Sequence, residues 1–460
     1  MKTTSVNIDD ILVNNRYEPE FWITTHILNI LFEKFSWQEL NEYSVFIRKG
    51  IFDLKAERYQ NNGIPFLRIS NLKYFELDKT GMVYISESDN KVNHKTILRE
   101  GDVAFSKIGT LGKILRISNE YPCVNLSQNL IGVKLKENAD KNYIFAFLMS
   151  KCALLQINRN RKKQLQDKLN LSDVKEIRVL DIPIEDKKNI GLKVKHIADK
   201  SLVANTIISQ AKQLFYSRIG IDFNAIEKEN VFCVNKSDFA EADLWTPMFS
   251  YPLYVNTLKA IQAKWETVPV GEIADLKKGD EVGSDTYIGY LDKRKTDVPF
   301  VRTSDIVNYE IDQYPDFFIP EEIYQEVAQG FQNGDVLFTK DGKIGMVGMI
   351  TEYDRAIISS GFVGLRLNKN ASKYGITPEY LFLCLSIKEI GIYASKRRTV
   401  VASTIPHLRE ERLKEIEIPV LDKKNITEIT NLVKEAFKLK NEKKRLIAEV
   451  RETMDGYFEV

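Results

Sequence analysis

Gly101-Asp102-Val103-Ala104-Phe105-Ser106-Lys107 and Gly334-Asp335-Val336-Leu337-Phe338-Thr339-Lys340 are one phrase of sequence written twice. Around them, Ile64-Pro65-Phe66-Leu67-Arg68-Ile69-Ser70 returns as Val298-Pro299-Phe300-Val301-Arg302-Thr303-Ser304. Asp186-Lys187-Lys188-Asn189-Ile190 returns unchanged as Asp422-Lys423-Lys424-Asn425-Ile426. The recurrences lie 233, 234 and 236 residues apart. So constant an offset over more than a hundred residues means two copies of one domain. Fainter matches extend the repeat: Pro19 and Phe21 with Pro247 and Phe249, Trp37 with Trp265, Arg48-Lys49-Gly50 with Lys277-Lys278-Gly279, and Glu76-Leu77-Asp78 with Glu310-Ile311-Asp312.

A chain of 460 residues has room for two or three domains, each with its own core. The composition, 43% hydrophobic and 28% charged, is that of an ordinary globular protein. A net charge of +2 does not decide for or against nucleic acid, because local patches steer binding more than totals do. Cys123, Cys152, Cys233 and Cys384 form no CxxC pair, which fits a reducing, cytoplasmic setting. The first residues lack the apolar centre of a signal peptide. The apolar stretches near Tyr143–Met149 and Tyr380–Ile387 are too short to span a bilayer and read as buried elements.

Within each copy, short β-branched and aromatic runs are cut by Gly, Asn and Asp, and a helix follows. This predicts an α+β domain on a curved or barrel-like sheet. After each copy the periodicity changes. Ile190, Val194, Ile197, Ser201, Ala204, Ile208, Ala211 and Phe215 follow steps of four and three, the a/d rhythm of a coiled-coil seam. Leu432, Ala436, Leu439, Leu446, Val450 and Tyr457 supply a second seam, with Lys443 in it. Two such helices each expose an apolar stripe, so an antiparallel pair is expected; the alternative is that each docks on its own domain. The predicted organisation is a first domain over 1–185, a helix over 186–219, a linker over 220–235, a second domain over 236–421 and a helix over 422–460.

No catalytic apparatus is legible. His26, His94, His196 and His407 lie far apart and form no HExxH set; no Gly-x-Ser-x-Gly elbow, GxGxxG or GxxxxGK[ST] loop occurs, and no metal site is predicted. The repeated Glu76/Asp78 and Glu310/Asp312 read as solvated turn and strand edges. The repeated cations are more informative. Lys107 before Gly109, and Lys340 before Gly342, enter glycine turns that let backbone amides approach an oxyanion such as a DNA phosphate. The bland reading is a hairpin with a solvated lysine. Arg159, Arg161, Lys162 and Lys163 in the first copy, and Lys396, Arg397 and Arg398 in the second, place like charge at matching positions. Shared charge with different letters suggests an anionic partner; a solvated loop is the alternative. Arg68 and Arg302, each two residues before Ser70 or Ser304, suit bidentate contact with guanine or phosphate, or an ion pair that anchors the fold. Ser127, Gln128 and Asn129 stand opposite Ser359 and Ser360 as two candidate base-reading edges, or as loop drift.

The ordered series of Gly-Asp-Val-x-Phe-[Ser/Thr]-Lys, a Gly-x-x-Gly turn, a serine-bearing turn and an Ile-Pro tail feeding a long helix, all twice over, resembles the specificity subunit of Type I restriction–modification systems. The resemblance covers essentially the whole chain. It implies two tandem, pseudo-symmetric target recognition domains on double-stranded DNA, each reading one half of a split site. The helices would form an antiparallel ruler between them. Methyltransferase subunits would dock on the helical region and carry S-adenosylmethionine, this chain needing no cofactor itself, and a restriction endonuclease subunit could join. The tails Ile182-Pro183-Ile184-Glu185 and Ile418-Pro419-Val420-Leu421 lack the family's second proline and following Glu-Gln pair. A helix from Asp186 to Phe215 would span roughly 45 Å at about 1.5 Å per residue, compatible with roughly 34–36 Å between successive major-groove faces. The expected role is therefore non-catalytic. A stand-alone DNA-binding or defence-associated protein built on the same duplicated domain is the alternative.

Overall fold

The computed structural model describes residues 18–159, 161, 168–229, 231–237, 244–401 and 405–458. The chain divides into two compact units. The first gathers Met1–Lys200, Gly289–Lys293 and Lys443–Val460; the second gathers Ser201–Ile288 and Arg294–Glu442. Each is an α+β body, and the two share the order of their central sheets.

The central sheet of the first unit runs in the order Ser44–Lys49, Leu130–Leu135, Val103–Ser106, Ile114–Arg116, all antiparallel. That of the second runs Ala274–Lys278, Phe362–Leu367, Val336–Thr339, Val347–Met349 in the same manner. In each unit a smaller sheet is entered by a parallel pairing: Ile64–Leu67 against Asn125–Leu126, and Val298–Val301 against Ile357–Ile358. The Gly-Asp-Val-x-Phe phrase is thus an inner strand, and all four residues of Val103–Ser106 and of Val336–Thr339 are buried. A continuous apolar run of this length is the pattern of a strand covered on both faces.

The ends of each domain are tied together. Trp37–Glu39 pairs with Arg178–Leu180, and Thr267–Pro269 with Glu417–Pro419. A buried tyrosine holds each tail: Tyr143 Oη donates to Leu180 O at 2.6 Å, and Tyr380 Oη to Pro419 O at 2.9 Å. This tie aims the chain into the helix that follows.

Those helices run Ile184–Ile219 and Lys423–Gly456. They pack on each other as an antiparallel pair, and each unit contains half of it. In the first unit Ile190, Val194 and Ile197 share a core with Val450 and Met454, and Lys193 lies 3.6 Å from Glu449. In the second, Ile208, Ala211 and Phe215 share a core with Ile426, Ile429, Val433 and Ala436, and Arg218 lies 3.2 Å from Glu428. Each unit's sheet and helix Lys141–Leu148 or Pro378–Ser386 contribute to the same core, so the helices are integral to the domains. Burial of each apolar seam side chain contributes about 1.5–3 kcal/mol.

On the first helix Ile190, Val194, Ile197, Ala204, Ile208, Ala211 and Phe215 are buried and Ser201 is half-buried. On the second helix the buried row is Ile426, Ile429, Val433, Ala436, Lys440, Lys443, Val450 and Met454. Leu432 and Leu439 are half-buried and flank Val433 and Lys440 by one position, while the half-buried Leu446 lies in phase between Lys443 and Val450. Two lysines occupy the middle of that row, which takes in Ala436, Lys443 and Val450 and passes beside Leu432 and Leu439.

Candidate nucleic-acid interface

In each unit one edge collects the repeated turns. The edge begins at a glycine. Gly50 N donates to Leu130 O at 3.1 Å, and Ile51 N to Leu126 O at 2.7 Å. Gly279 N donates to Phe362 O at 3.1 Å, and Asp280 N to Ile358 O at 2.9 Å. A Cβ on Gly50 would meet the carbonyl oxygens of Leu126 and Ser127 at 2.3 Å, and one on Gly279 the carbonyl of Ser359 at 2.1 Å. Only glycine fits such a backbone approach. The preceding Arg48-Lys49 and Lys277-Lys278 are all exposed and are delivered beside the serine turns.

The other strand ends join there. Ser127 N donates to Leu67 O at 2.9 Å, and Lys107 N to Asn129 O at 3.0 Å; Ser359 N donates to Val301 O at 2.9 Å, and Lys340 N to Gly361 O at 2.8 Å. The turns bearing Arg68, Lys107 and Ser127–Asn129 therefore converge, as do those bearing Arg302, Lys340 and Ser359–Gly361. Gly109 and Gly342 are exposed with φ of 74° and 67°, the left-handed backbone the glycine turns require. A later segment closes each edge: Leu169 N donates to Lys107 O, and Leu408 N to Lys340 O, both at 2.8 Å.

The two edges share a frame and differ in charge. In the first unit Lys107 is half-buried. Burial, followed by the nearby charges of Lys49 and Lys168, pushes its pKa down from the ordinary lysine value. Three ammonium groups thus repel one another at one place. In the second unit Lys340 is buried and its Nζ sits 3.0 Å from Asp341, which also pairs with His407. There the exposed cations of the edge are Lys277 and Lys278, with Lys343 in the glycine turn. The expectation that Lys340 presents its charge to solvent as Lys107 does is corrected by this burial: Asp341 stands where the first copy has Ile108, and it draws the ammonium inward.

Arg68 and Arg302 occupy the same cap of a short 3-10 turn. Arg68 N donates to Asn71 Oδ1 and Arg302 N to Asp305 Oδ2, both at 3.0 Å. The guanidinium of Arg68 donates to Gly81 O at 2.6 Å, whereas that of Arg302 reaches Asp305 at 3.4 Å and Asp316 at 3.0 Å over the Phe317 ring. Ser70 is exposed, and Ser304 Oγ donates to Asp305 at 3.1 Å. Gln128 is exposed between the half-buried Ser127 and Asn129. Ser359 is buried, while the half-buried Ser360 donates to Glu281.

The described arginines of the two basic runs serve packing. Arg159 stacks over Phe21 at 5.1 Å and donates to Thr25; Arg397 stacks over Phe249 at 4.7 Å and donates to Phe249 O at 2.7 Å. This explains the repeat of Phe21 as Phe249. Arg161 pairs with Asp292 at 2.9 Å, and the buried Arg398 with Glu415 at 3.0 Å. Lys396 is exposed; Lys162 and Lys163 lie outside the described residues. Lys49, Lys168, Lys277 and Lys278 are edge cations that were not singled out as site residues. The signal for three of them was present in the repeat of Arg48-Lys49-Gly50 as Lys277-Lys278-Gly279. Among the described residues no group of three or more His, Cys, Asp or Glu is placed to hold a metal ion, and no helix is long and apolar enough to cross a membrane.

Two domains of matching frame and unlike edges share an antiparallel helix pair, the plan of a duplicated binding protein. The family model for the Type I restriction modification DNA specificity domain matches residues 30–213 and again 262–450, and the chain belongs to this family. It is a DNA specificity subunit of a Type I restriction–modification system. Solved structures similar to it include the S subunit of such a system from M. genitalium, at 13% identity and a TM-score of 0.38, covering 94% of this chain and 98% of that one. The HsdS subunit from Thermoanaerobacter tengcongensis is similar at 13% identity and a TM-score of 0.28, covering 92% of this chain and 95% of that one. No curated protein matches the chain.

Proposed function

We propose that each unit reads one half of a bipartite duplex DNA site through the edge formed by its glycine, lysine and serine turns. The observation that carries this reading is the conserved backbone frame of the two edges against their different side chains: Lys49, Lys107 and Lys168 with Gln128 in one, and Lys277, Lys278 and Lys343 with Ser360 and Glu281 in the other. Two equal frames accept equal duplex backbones, and unlike letters on them select different bases. Lysines here contact phosphate; amide, hydroxyl and carboxylate groups face base edges. In the second edge Glu281 is suited to accept from a cytosine amino group.

In this reading the chain performs no chemistry. Methyltransferase subunits dock on the helical region, bring S-adenosylmethionine and modify adenine, and a restriction endonuclease subunit joins the same assembly. The four cysteines are free, which suits a reducing cytoplasm. The test is binding of the chain, with its modification subunits, to duplexes carrying both halves, either half or neither. The reading requires both halves for full affinity. Equal affinity for all four duplexes would refute it.

A further inference from the structure

Glu76 and Glu310, read from the sequence as solvated turn edges, are drawn inward instead. Glu310 is 3% exposed. It follows a two-residue hairpin between Ile306–Val307 and Glu310–Ile311, whose turn residues Asn308 and Tyr309 have φ of 48° and 75°. Left-handed backbone at a bulky tyrosine is costly and persists only where surroundings enforce it. The first unit repeats the device, with Phe75 at φ 72° immediately before Glu76. Each aromatic is seated edge-on against a helix ring, Phe75 on Phe145 at 6.1 Å and Tyr309 on Phe382 at 5.6 Å.

Both carboxylates end on the second long helix. In the second unit Glu310 lies 3.2 Å from the Lys440 Nζ, which is wholly buried and also donates to Asn205 Oδ1 and Asn308 O, each at 3.0 Å. The Lys440 ammonium is thus hydrogen-bonded to two oxygens and faces the Glu310 carboxylate as its charge partner. In the first unit Glu76 lies 2.8 Å from Lys443, itself 3% exposed. Lys440 and Lys443 stand in the apolar row of that helix, between Ala436 and Val450. Leucine at either place would favour helix pairing more. A buried ion pair is a poor source of stability, but a charged group in a coiled-coil seam does fix register, because any slip leaves a buried charge unpaired.

We propose that Glu76–Lys443 and Glu310–Lys440 are docking pins that fix where each recognition domain sits along the helical strut, and so set how strictly the distance between half-sites is read. The proposal rests on the bipartite reading above. It assigns spacing control to the Glu-bearing turns as well as to helix length. The pins are positioning residues and touch no DNA.

The experiment uses the chain assembled with its modification subunits. Methylation is measured on duplexes carrying both half-sites at the native spacing and one base pair shorter or longer. The double variant Glu310→Leu/Lys440→Leu should fold, as checked by its Tm, and lose discrimination between the three spacings. The exchanged pair Glu310→Lys/Lys440→Glu should regain it in part. Wild-type strictness in the apolar variant overturns the proposal. Should the apolar variant not fold, Glu310→Asp, which withdraws the carboxylate by one carbon, is read in the same way, and unaltered strictness again overturns it. A wild-type assembly indifferent to the second half-site would instead refute the bipartite reading itself.

Discussion

At the scale of single residues, Lys107 and Lys340 show how far a repeat can be trusted. Their letters match, their backbones make the same two hydrogen bonds, and their ammonium groups do different things. Lys107→Ala should weaken binding to all duplexes alike and reduce the slope of log K against log salt by about one unit; salt titrations on specific and random DNA check both. Lys340→Ala should lower Tm, since it takes the ammonium from the half-buried Asp341 and leaves it only His407, with the salt slope unchanged. The lowered pKa of Lys107 adds a pH dependence. A bound phosphate raises that pKa, so binding takes up a proton once the free lysine has lost its own. Affinity therefore falls as pH rises through the depressed value, earlier than for an ordinary lysine, and Lys107→Ala should flatten that alkaline decline. The repeat made the glycine turns and the lysines legible. It could not reveal Asp341 capturing Lys340, because that depends on one unmatched letter, nor that Arg159 and Arg397 spend their charge on aromatic faces.

At the scale of elements, the sequence specified strands and helices by burial and left their pairing to tertiary contacts. Val103–Ser106 was readable as a strand from its apolar run; its place between Leu130–Leu135 and Ile114–Arg116 was not, since partners far apart in sequence choose one another by fit. Gly50→Ala and Gly279→Ala test the joint between sheet and reading edge. Each forces a Cβ into a backbone carbonyl and should destabilise its unit by about 1–3 kcal/mol or more, seen as a loss of Tm by calorimetry. For the helix pair, the first seam was legible because all its a/d letters are apolar or small. In the second, Ala436, Lys443 and Val450 lie in the buried row, while Leu432 and Leu439 stand one position beside Val433 and Lys440, the latter a lysine whose partner is Glu310. Phe215→Ala, at a fully buried seam position, should cost about 3–5 kcal/mol. A surface-like cost from denaturant titration would mean the seam is misassigned.

At the scale of the molecule, duplication is the organising fact. One frame, copied, yields two readers whose side chains diverge while the backbone that presents them does not. The long helices, of 36 and 34 residues, each contribute to the cores of both units, and in the reading proposed here they act as a ruler. Inserting seven residues within the 190–215 part of the first helix, with a matching insertion in the second, should therefore change the distance between half-sites while leaving each half-site sequence unaltered. The most direct measurement is to co-express the chain with its methyltransferase subunits in cells lacking other adenine methylation, and to map modified adenines by long-read sequencing. The account expects one motif made of two short specific halves separated by a fixed run of unread bases. A single continuous motif, or modification without sequence preference, would contradict it.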